Sequence, residues 1–215
     1  MFLPTPVLQA WQHTSNSAAS TVVLPDGCCD VILHVPPGQP PHWFVTALAD
    51  TAYEVPGTVG EQFWGFRLQP GACIDEARLL GTLQARPVCD AQDALPWLDA
   101  CVHVDPRVDQ ALHSLSVSAS VAAAARQLGV SERTLQRLVF GATGRQPAYW
   151  KCLARVRHAA SHLVHAPSLA ACAADHGFAD QAHMTREFRR WLGRTPSAVL
   201  ASPEVLAVSA ASGYA

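Results

Sequence analysis

Two short stretches of this 215-residue sequence carry side chains suited to reading the edge of a base pair. The first holds Arg133, Gln136 and Arg137, and the second holds Gln181, Ala182, His183, Thr185 and Arg186. An arginine can bond guanine O6 and N7 together, and a glutamine can do the same with adenine N6 and N7. Each good pair is worth about 1–3 kcal/mol of discrimination. A second group with potential chemistry is the thiols. Adjacent Cys28 and Cys29, with Cys73, Cys89 and Cys101 in the same half, invite metal or redox sensing, or an alkyl-accepting repair role. Neighbouring side chains on a strand point to opposite faces, so a shared chelate there needs a bulge, and a buried cysteine is usually only a small apolar residue. His158 and His162 stand four apart, but no carboxylate or cysteine completes a metal shell on that stripe. There is no C-x-x-C pair, Gly-rich phosphate loop or nucleophile elbow, so no catalytic residue, metal or cofactor is expected, and the chain is not read as an enzyme.

The elements that must position the two base-reading stretches come from an internal duplication. At an offset of 49, Leu135 aligns with Met184, Arg137 with Arg186, Val139 with Phe188, Gly144 with Gly193, Arg145 with Arg194 and Pro147 with Pro196. Upstream the offset is 48, pairing Ala125 with Ala173 and Gly129 with Gly177, so the second copy has one extra residue in its turn. Each copy reads as helix, tight turn, helix. Gly129 and Gly177 stop the first helix, and Ser131 and Asp180 offer N-cap oxygens to the second. Small Ala125 and Ala173 allow the close crossing that such a turn requires. Val130, Leu135 and Leu138, and Phe178, Met184 and Phe188, form the apolar stripes, leaving the polar residues named above exposed. Between the copies, Pro147 starts a helix expected to run to about Val164. Tyr149, Leu153, Val156, Ala160 and Leu163 fall on one face, and Lys151, Arg155, His158, His162 and His165 on a solvated or phosphate-facing one. At about 1.5 Å per residue it spans about 27 Å, comparable with the ~34 Å between successive major-groove faces.

The formal net charge of −2 conceals a division. Residues 1–111 carry four basic and twelve acidic side chains, and residues 112–201 carry eleven basic and four acidic. Clustered positive charge suits a phosphate backbone, which makes nucleic acid the expected partner of the second half. Proline is concentrated before Gln110, and both compositions change between Val104 and Ser120. The expected organisation is therefore 1–108, 109–201 and a tail, 202–215. Met1 to Ala10 has no basic residue and contains Pro4 and Pro6, so no signal peptide is expected. No apolar run approaches the ~18 residues of a membrane span.

The segment from Leu128 to Arg137, the segment from Gly177 to Phe188 and Gly193-Arg-Thr-Pro196 together resemble the DNA-binding domain of the AraC/XylS family of bacterial transcription regulators. The resemblance covers roughly Ser116 to Leu200. It implies that the second helix of each unit enters the major groove, with Arg133, Gln136, Arg137, Gln181, Ala182, His183, Thr185 and Arg186 facing DNA. Ala182 departs from the long polar residue often found there, so the second unit is expected to read fewer bases or only phosphates. Val139 departs from the usual phenylalanine, and Phe140 is expected to replace part of its packing.

The first half carries less signal. Thr21 to Val35 reads as two strands around a Pro-Asp-Gly turn, and Trp43-Phe-Val and Phe63 to Leu68 read as further strands. Leu24 to Leu33 and Gly65 to Ala72 are similar to the small sensor domain of a subset of these regulators, which implies a partial cupin-like barrel. The fold class expected overall is α+β, a small β-rich domain followed by an all-α double helix-turn-helix domain. Aromatics of the first half, Trp11, Trp43, Phe63, Trp64 and Phe66, form either core or pocket wall, and Cys28, Cys29, Trp43 and Trp64 are the effector-binding candidates. The function expected is a cytoplasmic, nucleoid-bound regulator of promoter DNA whose partners include RNA polymerase, a small-molecule effector or a second copy of the chain. A thiol sensor or an alkyl-acceptor fusion is the alternative.

Overall fold

The computed structural model describes residues 3–86, 90–209 and 213–215. Strand β1 (Val7–Thr14) is followed by β2 (Thr21–Val23), β3 (Asp30–Val35), β4 (His42–Val45), β5 (Tyr53–Val55), β6 (Gln62–Leu68) and β7 (Cys73–Ile74). Four of them form an antiparallel sheet in the order β1-β6-β3-β4, and β2 pairs with β5 separately. Alternation along the strands gives the larger sheet two unlike faces. Val31, Leu33, Trp43, Phe66 and Leu68 lie on one face, in a core completed by Leu79 and Leu83 of α1 (Glu76–Gln84) and Leu98 of α2 (Leu95–Cys101). Asp30, Ile32, Phe44 and Arg67 lie on the other face, where a cavity opens beside β2 and β5. The short β8 (Val102–His103) pairs with β7 before the chain turns helical.

The Pro25-Asp26-Gly27 turn lies between two strands, as read from the sequence, but closes no hairpin. β2 and β3 belong to different sheets. Asp26 shows why: its Oδ1 accepts the Cys28 N–H at 2.9 Å, while its Oδ2 pairs with Arg67 of β6 at 3.2 Å. Gly27 adopts φ +76°, and a Cβ there would meet Tyr214 at 2.7 Å and Trp150 at 3.0 Å. The turn is thus anchored to β6 on one side and pressed against the helical half on the other.

That half begins with α3 (Pro106–Val117), where Pro106 occupies the first turn and Asp105 caps the Arg107 N–H. The expected divide at 108/109 therefore falls inside this helix. Helices α4 (Val121–Gln127) and α5 (Glu132–Thr143) form the first repeat, and α7 (Leu169–Asp175) and α8 (Gln181–Leu192) form the second. Between them runs α6 (Pro147–His162), shorter than expected and continued by a 3-10 turn, Leu163–His165. Its Trp150, Leu153, Val156, Ala159 and Ala160 are buried, as is Arg157, because both repeats and the N-terminal half pack around it. The chain closes with α9 (Pro196–Leu200) and α10 (Pro203–Ser209). Beyond residue 201 two described side chains reach the core. Val205 and Tyr214 are buried, Tyr214 OH donates to Leu112 O, and the Tyr214 N–H donates to Asp26 O, both at 2.8 Å.

Candidate nucleic-acid interface

Each repeat is built by the local signals its sequence carries. Gly129 and Gly177 take φ +67° and +71°, and the Ser131 and Asp180 side chains accept the N–H groups of Thr134 and His183. Gly144 and Gly193 end the second helices with left-handed backbone, at φ +66° and +67°. Leu135 and Val139 in α5, and Met184 and Phe188 in α8, are fully buried four residues apart. Phe140 does not substitute for a phenylalanine at 139. It lies one position round the helix, on the solvent side, and is 49% exposed.

The buried stripes turn Arg133, Gln136 and Arg137 outward on α5, and Gln181, Ala182 and Arg186 outward on α8. Among the described residues no ion pair engages Arg133, Arg137 or Arg186. The structure places His183 and Thr185 differently. Both are half-buried: His183 Nδ1 accepts the Ala179 N–H at 3.2 Å with its ring edge-on to Phe178, and Thr185 Oγ1 donates to Gln181 O at 2.9 Å. Gln136 Nε2 donates to Gln146 Oε1 at 2.9 Å, an exposed bond that a base edge could replace. Arg155 is not part of a phosphate-facing stripe on α6. Its guanidinium lies over Phe178, 4.8 Å from the ring centre, donates to Gly177 O at 3.3 Å and stands 3.9 Å from Glu187, which clamps the second repeat to α6.

The N-terminal half grips both repeats through Leu48–Ala52. Arg145, which follows α5, donates to Leu48 O at 2.8 Å and pairs with Asp50 at 2.9 Å. Tyr149 OH donates to Ala49 O at 2.8 Å, and the Ala52 N–H donates to Trp191 O in the last turn of α8 at 3.1 Å. Burial holds the Tyr149 hydroxyl well above the usual phenol range, so it stays a donor. No sequence signal marked this segment as a tether, because apart from Asp50 it takes part through backbone groups, the Leu48 and Ala49 carbonyls and the Ala52 N–H.

On its other side the tether borders the cavity of the larger sheet. The cavity measures about 370 Å³, and Thr46, Ala47 and Ala49 line it together with Trp11, Phe44 and Phe63. A small-molecule site of that size is ordinary. Of the effector candidates, only Cys28 lines it. Trp43 and Trp64 lie on the opposite face with the α1 and α2 core, since in β6 Phe63, Gly65 and Arg67 share the cavity side and Trp64, Phe66 and Leu68 the helix side. Cys29 lines a second cavity, of about 420 Å³, with Gly71, Glu76 and Arg145. The adjacent thiols thus face different spaces, as alternation requires. Burial and the nearby Asp26 raise the Cys28 thiol far above its ordinary range, and burial with Asp30 pushes Cys29 up to about 11. Both shifts favour the neutral thiol over the thiolate, the form that is nucleophilic and ligates metals. Cys73 is exposed and Cys101 buried, and Cys89 lies outside the described residues.

A helix, a glycine turn and a second helix with an exposed basic face, present twice, define a double helix-turn-helix domain. A family model described as a helix-turn-helix domain matches residues 124–202. The HTH-type transcriptional regulator RipA of Corynebacterium glutamicum is 46% identical over 69 residues, which span 32% of this chain and 21% of that relative. Among solved structures, the DNA-binding domain of AdpA, a global transcriptional factor crystallised with a target DNA, is 31% identical. The match covers 44% of this chain and 86% of that one, with a TM-score of 0.37. ToxT of Vibrio cholerae aligns over 94% of this chain and 97% of its own at 8% identity, with a TM-score of 0.45. The C-terminal half therefore carries a helix-turn-helix domain of the AraC type. Among the described residues no helix is long and apolar enough to cross a membrane.

Proposed function

We propose that this chain is a transcription regulator that binds double-stranded promoter DNA with α5 and α8, under the control of a small molecule held in the N-terminal cavity. The observation carrying the DNA reading is the outward set Arg133, Arg137 and Arg186, in no ion pair among the described residues, on duplicated helices whose opposite stripes are fully buried. In this reading Arg133, Gln136 and Arg137 contact bases. Gln181, Ala182 and Arg186 contact the neighbouring groove, and His183 and Thr185 shape the second turn more than they touch DNA. Such a protein acts in the cytoplasm, on the nucleoid and beside RNA polymerase.

Control by a ligand is supported by Thr46–Ala52, which is cavity wall on one side and tether to Arg145, Tyr149 and Trp191 on the other. A ligand that binds better when the tether is held, or when it is released, shifts the helix-turn-helix units by that difference in affinity. Selection of genomic fragments by the purified chain, followed by anisotropy titrations at fixed salt with and without a metabolite panel, tests both parts. The reading expects a defined operator bound well above bulk DNA, and metabolites that change its affinity. No sequence preference at any salt would defeat the DNA reading. Operator binding with a cavity inert to every metabolite, and a dimer formed through the N-terminal half, would make that half a dimerisation module instead.

A further inference from the structure

The chemistry of the cavity deepens the sensing role proposed above, and rests on it. Its most distinctive wall is Trp11. A Cβ on Gly65 would fall 2.0–2.5 Å from the indole atoms, so the ring occupies the space a side chain at 65 would fill and lies against β6. Its Nε1 donates to Asp30 Oδ1 at 2.7 Å, which fixes the ring's rotation and leaves the rest of its surface to the cavity. Ile32, Phe44, Phe63 and Val22 supply apolar surface around it.

The polar end of the cavity is balanced in charge. Arg67 pairs with Asp26 at 3.2 Å and stands 3.6 Å from Asp30, and Arg157 acts on Asp26 from the helical half. Asp26, Asp30 and Arg67 line this end of the cavity, and Arg157 adds a second positive charge near Asp26 from outside the lining. An anion would have to take Arg67 from both aspartates, and a cation would have to draw them off their arginines. Either would lose hydration without a spare counter-charge. A hydroxyl can add to a carboxylate without breaking these pairs, since an ionised carboxylate offers about four lone-pair sites.

We propose that the cavity binds an uncharged, ring-bearing apolar molecule that stacks on Trp11 and donates a hydroxyl hydrogen bond to Asp30. The test uses four probes sharing one bicyclic skeleton: 2-naphthol, naphthalene, 2-naphthoate and 2-naphthylmethylammonium. Each is titrated calorimetrically into the full chain near pH 7. The expected ranking puts 2-naphthol about tenfold or more ahead of the other three, the scale of one hydrogen bond to a charged acceptor. Asp30→Asn should lower 2-naphthol to the level of naphthalene, and Trp11→Leu should weaken both. If either variant fails to fold, the ranking on the natural chain decides alone. Either charged probe binding as tightly as 2-naphthol, or no binding of 2-naphthol at millimolar concentration, overturns the proposal. So does unchanged affinity in a folded Asp30→Asn chain. Operator affinity of the ligand-free chain is measured alongside. Intact operator binding with a failed ranking removes only the ligand class, whereas lost operator binding with the ranking preserved removes the regulator reading.

Discussion

The two helix-turn-helix units descend from one pattern and differ in what holds them. In the second, Phe178 is buried and covered by Arg155. In the first, Val130 at the same position is 38% exposed. Glu187 in the second receives the Trp191 indole N–H at 3.3 Å and faces Arg155, where the first has only Leu138. The first is fastened at its other end: Arg145 reaches the N-terminal half, and its counterpart Arg194 is exposed. The reading faces differ too, since Arg133 and Gln136 stand where the second unit has Ala182 and Thr185. Duplication preserved caps and buried stripes, and the units diverged where each meets a different neighbour. The unit richer in base-reading side chains is the one tied to the cavity domain through a charged side chain.

The largest effect that would sharpen this contrast is on stability. Phe188→Ala removes a fully buried aromatic ring from α8 and should cost about 3–5 kcal/mol. Val139→Ala at the matching site removes two methyl groups and should cost about 2 kcal/mol. Urea unfolding by circular dichroism measures both. Equal losses would mean that the units are packed alike after all.

Next comes DNA affinity. Arg137→Ala, on the face with Arg133 and Gln136, should cost about 1–3 kcal/mol and relax sequence preference at one position. Arg186→Ala, beside Ala182 and a half-buried Thr185 bonded to its own helix, should weaken all sequences about equally and lower the salt slope by about one. Anisotropy titrations on operator and scrambled duplexes, at several salt concentrations, separate the two outcomes. Loss of sequence preference in Arg186→Ala would make the second unit a reader too.

Much of the helical half was legible because its signals are local. A glycine at each turn, a capping Ser or Asp and an i, i+4 stripe all act within a few residues, and each appears where the sequence puts it. Arg155 and Phe140 were misjudged because what surrounds α6, and the packing of α5, depend on neighbours distant in sequence. In the β-rich half the alternation of Phe63 to Leu68 allowed two faces but did not say which one faced helices and which a cavity. That the strands on either side of the Pro-Asp-Gly turn join different sheets had no local sign, because Arg67, which pairs with Asp26, lies 41 positions further on. Tyr214 docking against Asp26 had no local sign at all.

A smaller effect should follow from cutting the tether. Asp50 is 52% exposed, so its ion pair with Arg145 contributes little, and the bond to Leu48 O carries more of the docking. Arg145→Ala should therefore cost about 1–2 kcal/mol, whereas Arg194→Ala should stay within about 0.5 kcal/mol. Paired thermal melts measure the difference, and a matching loss at Arg194 would show that the two arginines are not divided between roles.

The smallest contrast is in pH. Burial lowers the pKa of His158, helped by His176, Lys151, His162 and Arg157, and burial and His162 lower that of His176 against the opposing pull of Asp175. Both lie against the second unit, and Leu128 stands in the first where His176 stands in the second. With a folded pKa below the ordinary 6.5, the unfolded chain takes the proton first. The contribution to stability is therefore complete above about pH 6.5 and declines as pH falls below it. Protection of the α7 and α8 amides from hydrogen exchange should drop between pH 7 and 5.5 more than that of α4 and α5, once corrected for the intrinsic exchange rate. The double variant His158→Gln, His176→Gln should remove the excess. If the excess survives in that variant, the acid sensitivity belongs to other groups, and the second unit differs from the first in its packing alone.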